Sequence, residues 1–408
     1  MRILLATELY RPSIGGTERH VEQLEAALTA RGHHVVVATT SPQLHEVDPP
    51  HVRRLGGWAE VAIRRHARPE QHFHPPAADP GVVRQLVALC ASERIDVVHA
   101  HGWIAHSAVR AAWRRDLPVV VSLHDYGLDC ARRSRLLPDG SPCAGPEPEA
   151  CRSCAGAAYG RVRGELVVAG LRRSARWWSR VDAFVANSEA VAAAAEAAGV
   201  PCEVASPWLA PVVPPAAGAT GATTVVDGLP RAPFVAYAGA QSRHKGIATL
   251  TEAWADPAPA PLVAVLSRPE SHPPALPPSA VVRRDASPAE VLATMAAASI
   301  VVVPSIFPEP FGLVAVEAMS VGTPVIASAT GGLPEVLAHG AAGVLVPPGD
   351  AASLRDAVTE LLADPGRRVE LAGRGRARAA QLDGTDAIVD VYRRVARQPQ
   401  ASPASLRI

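Results

Sequence analysis

Short apolar runs bounded by turn residues alternate along this chain with segments whose apolar positions recur at helical spacing. Ile3–Ala6, His34–Thr39, Asp96–Ala100, Pro118–Leu123 and Val181–Ala186 read as buried strands. Helices are expected between them at Val21–Arg31 (apolar at Val21, Leu24 and Leu28, ending near Gly32), Gly81–Glu93, Trp103–Arg114, a long stretch near Tyr159–Arg180, and Ser188–Ala198. Residues 41–80, rich in Pro, His and Arg, predict only strand fragments and loops. Strands that are apolar throughout, with helices between them, imply a parallel sheet covered on both faces. Residues 207–232 break the alternation, because Pro207, Pro211, Pro214, Pro215, Gly218 and Gly221 mark a linker with room for one short strand. The pattern then resumes. Strands are expected at Phe234–Ala238, Leu262–Leu266, Ile300–Pro304, Pro324–Ala327 and Gly343–Val346. Helices are expected at Lys245–Ala255, Pro288–Ala298, Leu313–Val321, Ala352–Ala363 and beyond, while 256–280 is Pro-rich and undefined. The architecture is therefore α/β: two doubly wound, Rossmann-like domains, 1–206 and 233–384, joined by the linker 207–232 and followed by a terminal segment 385–408. Ligands of such sheets sit beyond the carboxyl ends of the strands, and two facing domains make a cleft.

Composition narrows the picture. With 408 residues, a prior of about 150 per domain allows two to three domains. The net charge of +1 argues against a dedicated nucleic-acid binder. Six cysteines are too few for a disulfide scaffold. No apolar run reaches the ~18 residues of a membrane span. The N-terminus, Met1 to Glu8, carries only a short apolar run before an acid and reads as a first strand, so a cytoplasmic protein is expected. Lysine occurs once, at Lys245, so 40 − 1 = 39 of the basic residues are arginine. In an Arg-rich, Ala-rich chain a single surviving ammonium stands out, because ammonium and guanidinium are not interchangeable in a tight site.

Four constellations carry chemistry. Pro304 to Glu317 runs from a strand end through a Pro-interrupted loop into a helix that starts near Phe311-Gly312-Leu313, with Glu309 on the loop and Glu317 inside the helix. Free N–H groups and the dipole of such a helix start form an anion site; two acids near a helix start are otherwise ordinary. Ala238 to Gly246 also follows a strand and opens a helix, and sets Arg243 and Lys245 where a diphosphate would be neutralised; the plain reading is a solvated basic turn. Gly15-Gly16 after the first strand can turn backbone amides to a ligand, but it lacks dinucleotide-binding spacing. His124-Asp125 closes a strand, with His99 and His101 on the strand before; His124 can meet a sugar hydroxyl, whereas His99 reads as a satisfied core histidine.

In this order and on these elements, the four pieces resemble a retaining family 4 glycosyltransferase of GT-B fold. The likeness covers most of the chain: Gly15-Gly16, Val98 to His101, Ser122 to Asp125, Asp182 to Glu189, Gly239 to Gly246, the Glu-x7-Glu pattern of Glu309 and Glu317, Gly322 to Ala327, and Gly331 to Glu335. It implies a nucleoside-diphosphate sugar as co-substrate and an acceptor hydroxyl on a natural product, a lipid-linked sugar or a polysaccharide. It implies no metal for catalysis. Glu317 would hold the donor ribose, and Glu309 with the amides of Phe311, Gly312 and Leu313 would meet the donor sugar and diphosphate. Lys245 and Arg243 would carry the diphosphate charge. Gly15, Gly16 and His124 would face the reacting sugar, so His124, Lys245 and Glu309 are the catalytic candidates. The last helix, near Ala387–Arg397, would cross back to the first domain. Two departures stand out. Ala240 occupies a position where the family often has Arg, and Ser206-Pro207-Trp208-Leu209 replaces the usual Asn-Gly of the linker. Rival readings are a nucleotide-sugar epimerase, or a non-catalytic nucleotide-sugar sensor, on the same fold.

Cys130, Cys143, Cys151 and Cys154, in the segment 125–156 read as a loop, suit a structural tetrahedral zinc by sulfur count; two disulfides or free thiols are the alternatives. Cys90 and Cys202 look like small core residues. Residues 161–180 carry six arginines beside Trp177-Trp178. That basic face suits peripheral contact with anionic lipid or an anionic acceptor, although a solvated surface with its tryptophans inward is the preferred reading.

Overall fold

The structure, a computed structural model, describes residues 1–11, 15–42, 48–58, 74–207, 226–231, 233–269 and 273–397. Most of the linker expected at 207–232 and the segment 398–408 lie outside these residues. The chain divides into two compact units: Met1–Pro138, Cys143–Leu209 and Asp383–Ile408 form the first, Asp139–Pro142 and Ala210–Leu382 the second.

The first unit runs β1 (Arg2–Thr7), α1 (Gly16–Ala30), β2 (His34–Thr39), β3 (Val52–Arg54), α2 (Pro80–Ser92), β4 (Val97–His101), α3 (Ala105–Arg115), β5 (Val119–Leu123), α4 (Pro148–Tyr159), α5 (Arg161–Ser174), β6 (Ala183–Ala186), α6 (Glu189–Ala197) and β7 (Glu203–Val204). All pairings are parallel, in the order β3-β2-β1-β4-β5-β6-β7. The period of two explains why both faces are covered. Leu4, Ala6, Val98, Val119 and Val121 enter one core, with α2, α3 and α6. Ile3, Leu5, Val97 and Val120 enter the other, with Val21, Leu24 and Leu28 of α1. The terminal helix Thr385–Arg397 buries Ile388, Tyr392 and Val395 in this second core, and the Tyr392 hydroxyl is hydrogen-bonded to His99 Nδ1 (2.5 Å).

The second unit runs β8 (Val235–Gln241), α7 (Ile247–Ala253), β9 (Leu262–Pro269), β10 (Val281–Arg284), α8 (Pro288–Ala297), β11 (Ile300–Val303), α9 (Leu313–Ser320), β12 (Val325–Ser328), α10 (Leu333–Val336), β13 (Val344–Val346), α11 (Ala351–Ala363) and α12 (Pro365–Gln381). Numbering the terminal helix after these makes it α13. The six-stranded sheet is again parallel, β10-β9-β8-β11-β12-β13.

Two sequence expectations need correction. The long helix near Tyr159–Arg180 is broken: α4 ends at Tyr159, Gly160 takes φ 82° and ψ 152°, α5 stops at Ser174, and a tighter 3-10 turn covers Ala175–Arg180. A left-handed glycine ends one helix and starts the next at a new angle. Consequently 125–156 is not all loop, because α4 begins at Pro148 and carries Cys151 and Cys154. Strand β10 was not expected either; its Val281 and Val282 are exposed on an edge, so no buried apolar run announces it.

Candidate active site

In the second unit, the loops that leave β8 and β11 lock together. Gly246 has φ +75°, and a Cβ there would overlap the Pro304 carbonyl, so only glycine lets this turn lie on the end of β11. The Ile306 amide donates to the His244 carbonyl (3.0 Å), and the His244 ring meets Phe307 edge-on. Lys245 Nζ donates to both carboxylate oxygens of Glu309 (2.8 and 2.9 Å) and lies 4.9 Å from the centroid of the Phe307 ring. Ser305 Oγ adds a third hydrogen bond to Glu309 (2.8 Å). Behind Glu309, Gly331 has φ +58° and would clash with the Glu309 backbone if it bore a side chain; the Gly332 amide donates to the Glu309 carbonyl (2.7 Å). The structure thus brings Lys245 and Glu309, 64 residues apart, into one partly buried ion pair.

That pair stands at the entrance to α9. Gly312 is its N-cap, in the left-handed region, and no side chain among the described residues caps the helix. Among the described residues, the amides of Phe311, Gly312 and Leu313 donate no hydrogen bond, which leaves a cradle of positive dipole. Glu317 is buried inside α9. Arg243 is exposed on the turn that carries Lys245. Ala240, at the departure from the family pattern, accepts the Tyr237 hydroxyl through its carbonyl (2.8 Å). Arg284, which sequence reasoning missed, donates to the Gln241 side chain (2.8 Å) and brings a guanidinium to the residue after Ala240.

In the first unit, His101 ends β4 and His124 follows the end of the adjacent strand β5. Their rings are hydrogen-bonded, Nδ1 to Nε2, at 2.8 Å, and stack at 21°. His20, on α1 just after Gly15-Gly16, lies 4.9 Å from the His124 ring. Ligand atoms of these three histidines all fall within 4.8 Å of one another, the one such grouping of metal-capable side chains among the described residues. Among the described residues, His20 Nδ1 and His101 Nε2 have no hydrogen-bond partner. His99 is satisfied on both nitrogens, by Tyr392 and by Ser122 (2.7 Å). Burial pushes His124 and His99 down to about 3, and holds His20 and His101 well below an ordinary imidazole. His124 is therefore a neutral hydrogen-bonding ring, not a proton donor charged at pH 7.

Beside His124 lies a charge cluster the sequence did not announce. Glu8, buried at the end of β1, is ion-paired with Arg133 and accepts the Trp103 amide (3.0 Å). Arg133 Nε also binds Asp125 (2.8 Å). Burial pushes the Glu8 carboxyl up, against the pull of Arg133. A pocket opens here, lined by Gly102, Trp103, His106, His124, Asp125 and Arg133.

Residues 14–207 match the family model described as Glycosyltransferase Family 4, and 283–378 the model described as Glycosyl transferases group 1. A D-inositol 3-phosphate glycosyltransferase of Xylanimonas cellulosilytica is 30% identical, over 95% of this chain and 93% of that protein. A glycogen synthase of Mycobacterium tuberculosis is 28% identical, over 93% and 89%. Among solved structures, sucrose-phosphate synthase from Thermosynechococcus elongatus superimposes with a TM-score of 0.68 at 24% identity, covering 97% of this chain and 98% of that one. Anabaena Alr3699/HepE in complex with UDP and glucose gives 0.65 at 19% identity, with the same coverage.

Proposed function

Since this chain belongs to the family 4 glycosyltransferases of GT-B fold and is a glycosyltransferase, we propose that it takes a nucleoside-diphosphate sugar and transfers the sugar, with retention, to an acceptor hydroxyl. One observation carries the donor assignment: the sole lysine is held by Glu309 at the mouth of the uncapped α9. A diphosphate seated there meets an ammonium on one side and helix amides on the other, both fixed before it arrives. Prearranged charge of this kind stabilises the leaving diphosphate as the glycosidic bond to it breaks. Glu309 fixes the ammonium and has a backbone clamped by Gly331 and Gly332, so it serves in orienting Lys245 as well as in meeting the sugar. Arg243 adds charge from the same turn, and Glu317 is the candidate for the ribose hydroxyls.

At the carboxyl ends of the first sheet, Gly15, Gly16 and His124 face the reacting sugar in this reading. A neutral His124 orients a hydroxyl by hydrogen bonding. Attack from the face that the diphosphate leaves, with the leaving phosphate accepting the acceptor's proton, gives retention without a covalent enzyme intermediate. Glycogen synthase, sucrose-phosphate synthase and the UDP–glucose complex among the similar proteins support a nucleotide-sugar donor and a carbohydrate acceptor. No helix among the described residues is long and apolar enough to cross a membrane. For peripheral contact through 161–180 the support is Val162 and Leu166, both exposed beside Arg161 and Arg163.

The test is a donor and acceptor screen read by product mass, with the anomeric configuration read by NMR. The expected result is an acceptor-dependent product of retained configuration. Release of nucleoside diphosphate that no acceptor accelerates, or an inverted product, overturns the proposal.

A further inference from the structure

We propose that His101 is a positioning residue for His124: its Nδ1–H donates to His124 Nε2, and so fixes the proton of His124 on Nδ1, the ring nitrogen left for a ligand hydroxyl. The identity of that hydroxyl rests on the function proposed above; the direction of the hydrogen bond does not. Residues paired across parallel strands point to one face, and His101 pairs with Ser122 in the register of β4 against β5. His124 stands two residues beyond Ser122, so both rings lie over that face. There α1 brings His20, with ring centroids 4.9 Å from His124 and 5.8 Å from His101. His101 is fully buried, with the His99 ring 4.2 Å from its own, whereas His124 lines the pocket beside Arg133. Asn187 Nδ2 donates to the His124 carbonyl (3.2 Å) and holds the backbone behind the ring.

At 2.8 Å, His101 Nδ1 and His124 Nε2 share one proton, because two bare lone pairs would repel and two N–H groups would collide. The two nitrogens therefore form a hydrogen bond and are not ligands of one ion, although with His20 these residues make the one grouping of metal-capable side chains among the described residues. Cys130, Cys143, Cys151 and Cys154, read from the sequence as a zinc set, form no such grouping among the described residues. Burial keeps both rings neutral, so each has one proton to place. With His124 as donor, His101 would carry its proton on Nε2, where it has no partner among the described residues, and an N–H would be orphaned in a sealed core. With His101 as donor, its Nε2 keeps only a bare lone pair. Orphaned buried N–H groups are the rarer of the two. His124 then has its lone pair on Nε2, occupied by His101, and its proton on Nδ1. A hydroxyl oxygen that accepts from that N–H is oriented while its own proton stays free for another partner. Without His101, either nitrogen of His124 can hold the proton, and the fixed donor is lost.

The experiment is NMR of the full wild-type chain, its histidines labelled with nitrogen-15, near neutral pH. A nitrogen-to-nitrogen correlation across the imidazole–imidazole hydrogen bond picks out the pair without any substitution. The ring protons coupled to the donor nitrogen then name it, since Nδ1 couples to Hε1 alone and Nε2 to both Hε1 and Hδ2. The donor is expected to be an Nδ1, hence that of His101. A donor Nε2, or no correlation across the bond, overturns the proposal. Turnover supplies the second readout. His101→Leu fills the site without a donor and should lower kcat about tenfold, with donor KM changed less than about threefold. His101→Asn sets an amide N–H where Nδ1 stands and should bring kcat back to within about threefold of wild type. A role in packing alone would favour Leu over Asn. An Asn variant no more active than the Leu variant, or a Leu variant with wild-type kcat, overturns the positioning role. A wild-type chain that transfers no sugar removes the function proposed above, and the spectrum still decides the hydrogen bond.

Discussion

Where the strand ends of the first sheet carry buried neutral histidines around a Glu8–Arg133–Asp125 cluster, those of the second carry a lysine–glutamate pair and a helix tip of unused amides. Two sheets of the same parallel design thus present different chemistry at the same edge. In the proposed reading the second meets the charge of a diphosphate, with a cation and dipoles fixed in advance. In the proposed reading the first meets hydroxyls, with rings whose charged form burial has made costly. This division matches a reaction in which the charge develops on the donor side and the acceptor contributes a neutral nucleophile.

The division can be broken most strongly with acid. Burial holds His99, His106 and His124 at about 3 and His74 at about 4, all in the first unit. Their unfolded values lie near 6.5, so below that pH the unfolded chain binds protons the folded one does not. The stability they contribute is complete above pH 6.5 and falls as the pH drops towards 4. The loss is about 1 kcal/mol per histidine between pH 6.5 and 5.5 and steepens towards about 1.4 kcal/mol per pH unit below that, so several kcal/mol in all by pH 5.5. Thermal melts at pH 7.0 and 5.5, with hydrogen exchange by peptide, should assign this loss to the first unit. Equal loosening of the second unit counts against the contrast.

Removing the ammonium comes next. Lys245→Ala should lower kcat/KM on the order of 100-fold, close to 3 kcal/mol of transition-state stabilisation, in a chain that still folds. Glu317→Ala should cost at least about tenfold, mainly in donor KM. Turnover that survives both substitutions removes the donor-side assignment. Gly246→Ala, forced to positive φ against the Pro304 carbonyl, should cost about 2 kcal/mol or more, measured by urea unfolding of the full chain. The smallest expected effect belongs to the first unit's anchor. Tyr392→Phe leaves His99 Nδ1 without a partner in a sealed core and should cost about 1–2 kcal/mol in the same assay, with little change in donor KM.

The sheets themselves were legible because their strands are short, β-branched and apolar on both faces, and His34–Thr39 is bounded as expected. Turns that obey strand-then-helix logic were legible too, which is why Lys245 and Glu309 could be named. Their union was not, since it depends on Gly246 and Gly331 pressing two loops together across the strand ends. The helix at Pro148–Tyr159 stayed hidden because only Ala155 of its residues is buried, so it has no apolar stripe to read. The His101–His124 bond follows from the register of β4 against β5, where His101 pairs with Ser122 and His124 lies just beyond the strand. Glu8 and Arg133 meet across 125 residues, a separation at which spacing says nothing.

The most direct measurement is calorimetric titration of nucleoside diphosphate into the wild-type chain and Lys245→Ala, with the corresponding nucleoside monophosphate as reference. Affinity for the diphosphate should fall at least about tenfold in the variant, while the monophosphate changes much less. Equal diphosphate affinity in the two proteins would contradict a diphosphate held between Lys245 and the tip of α9.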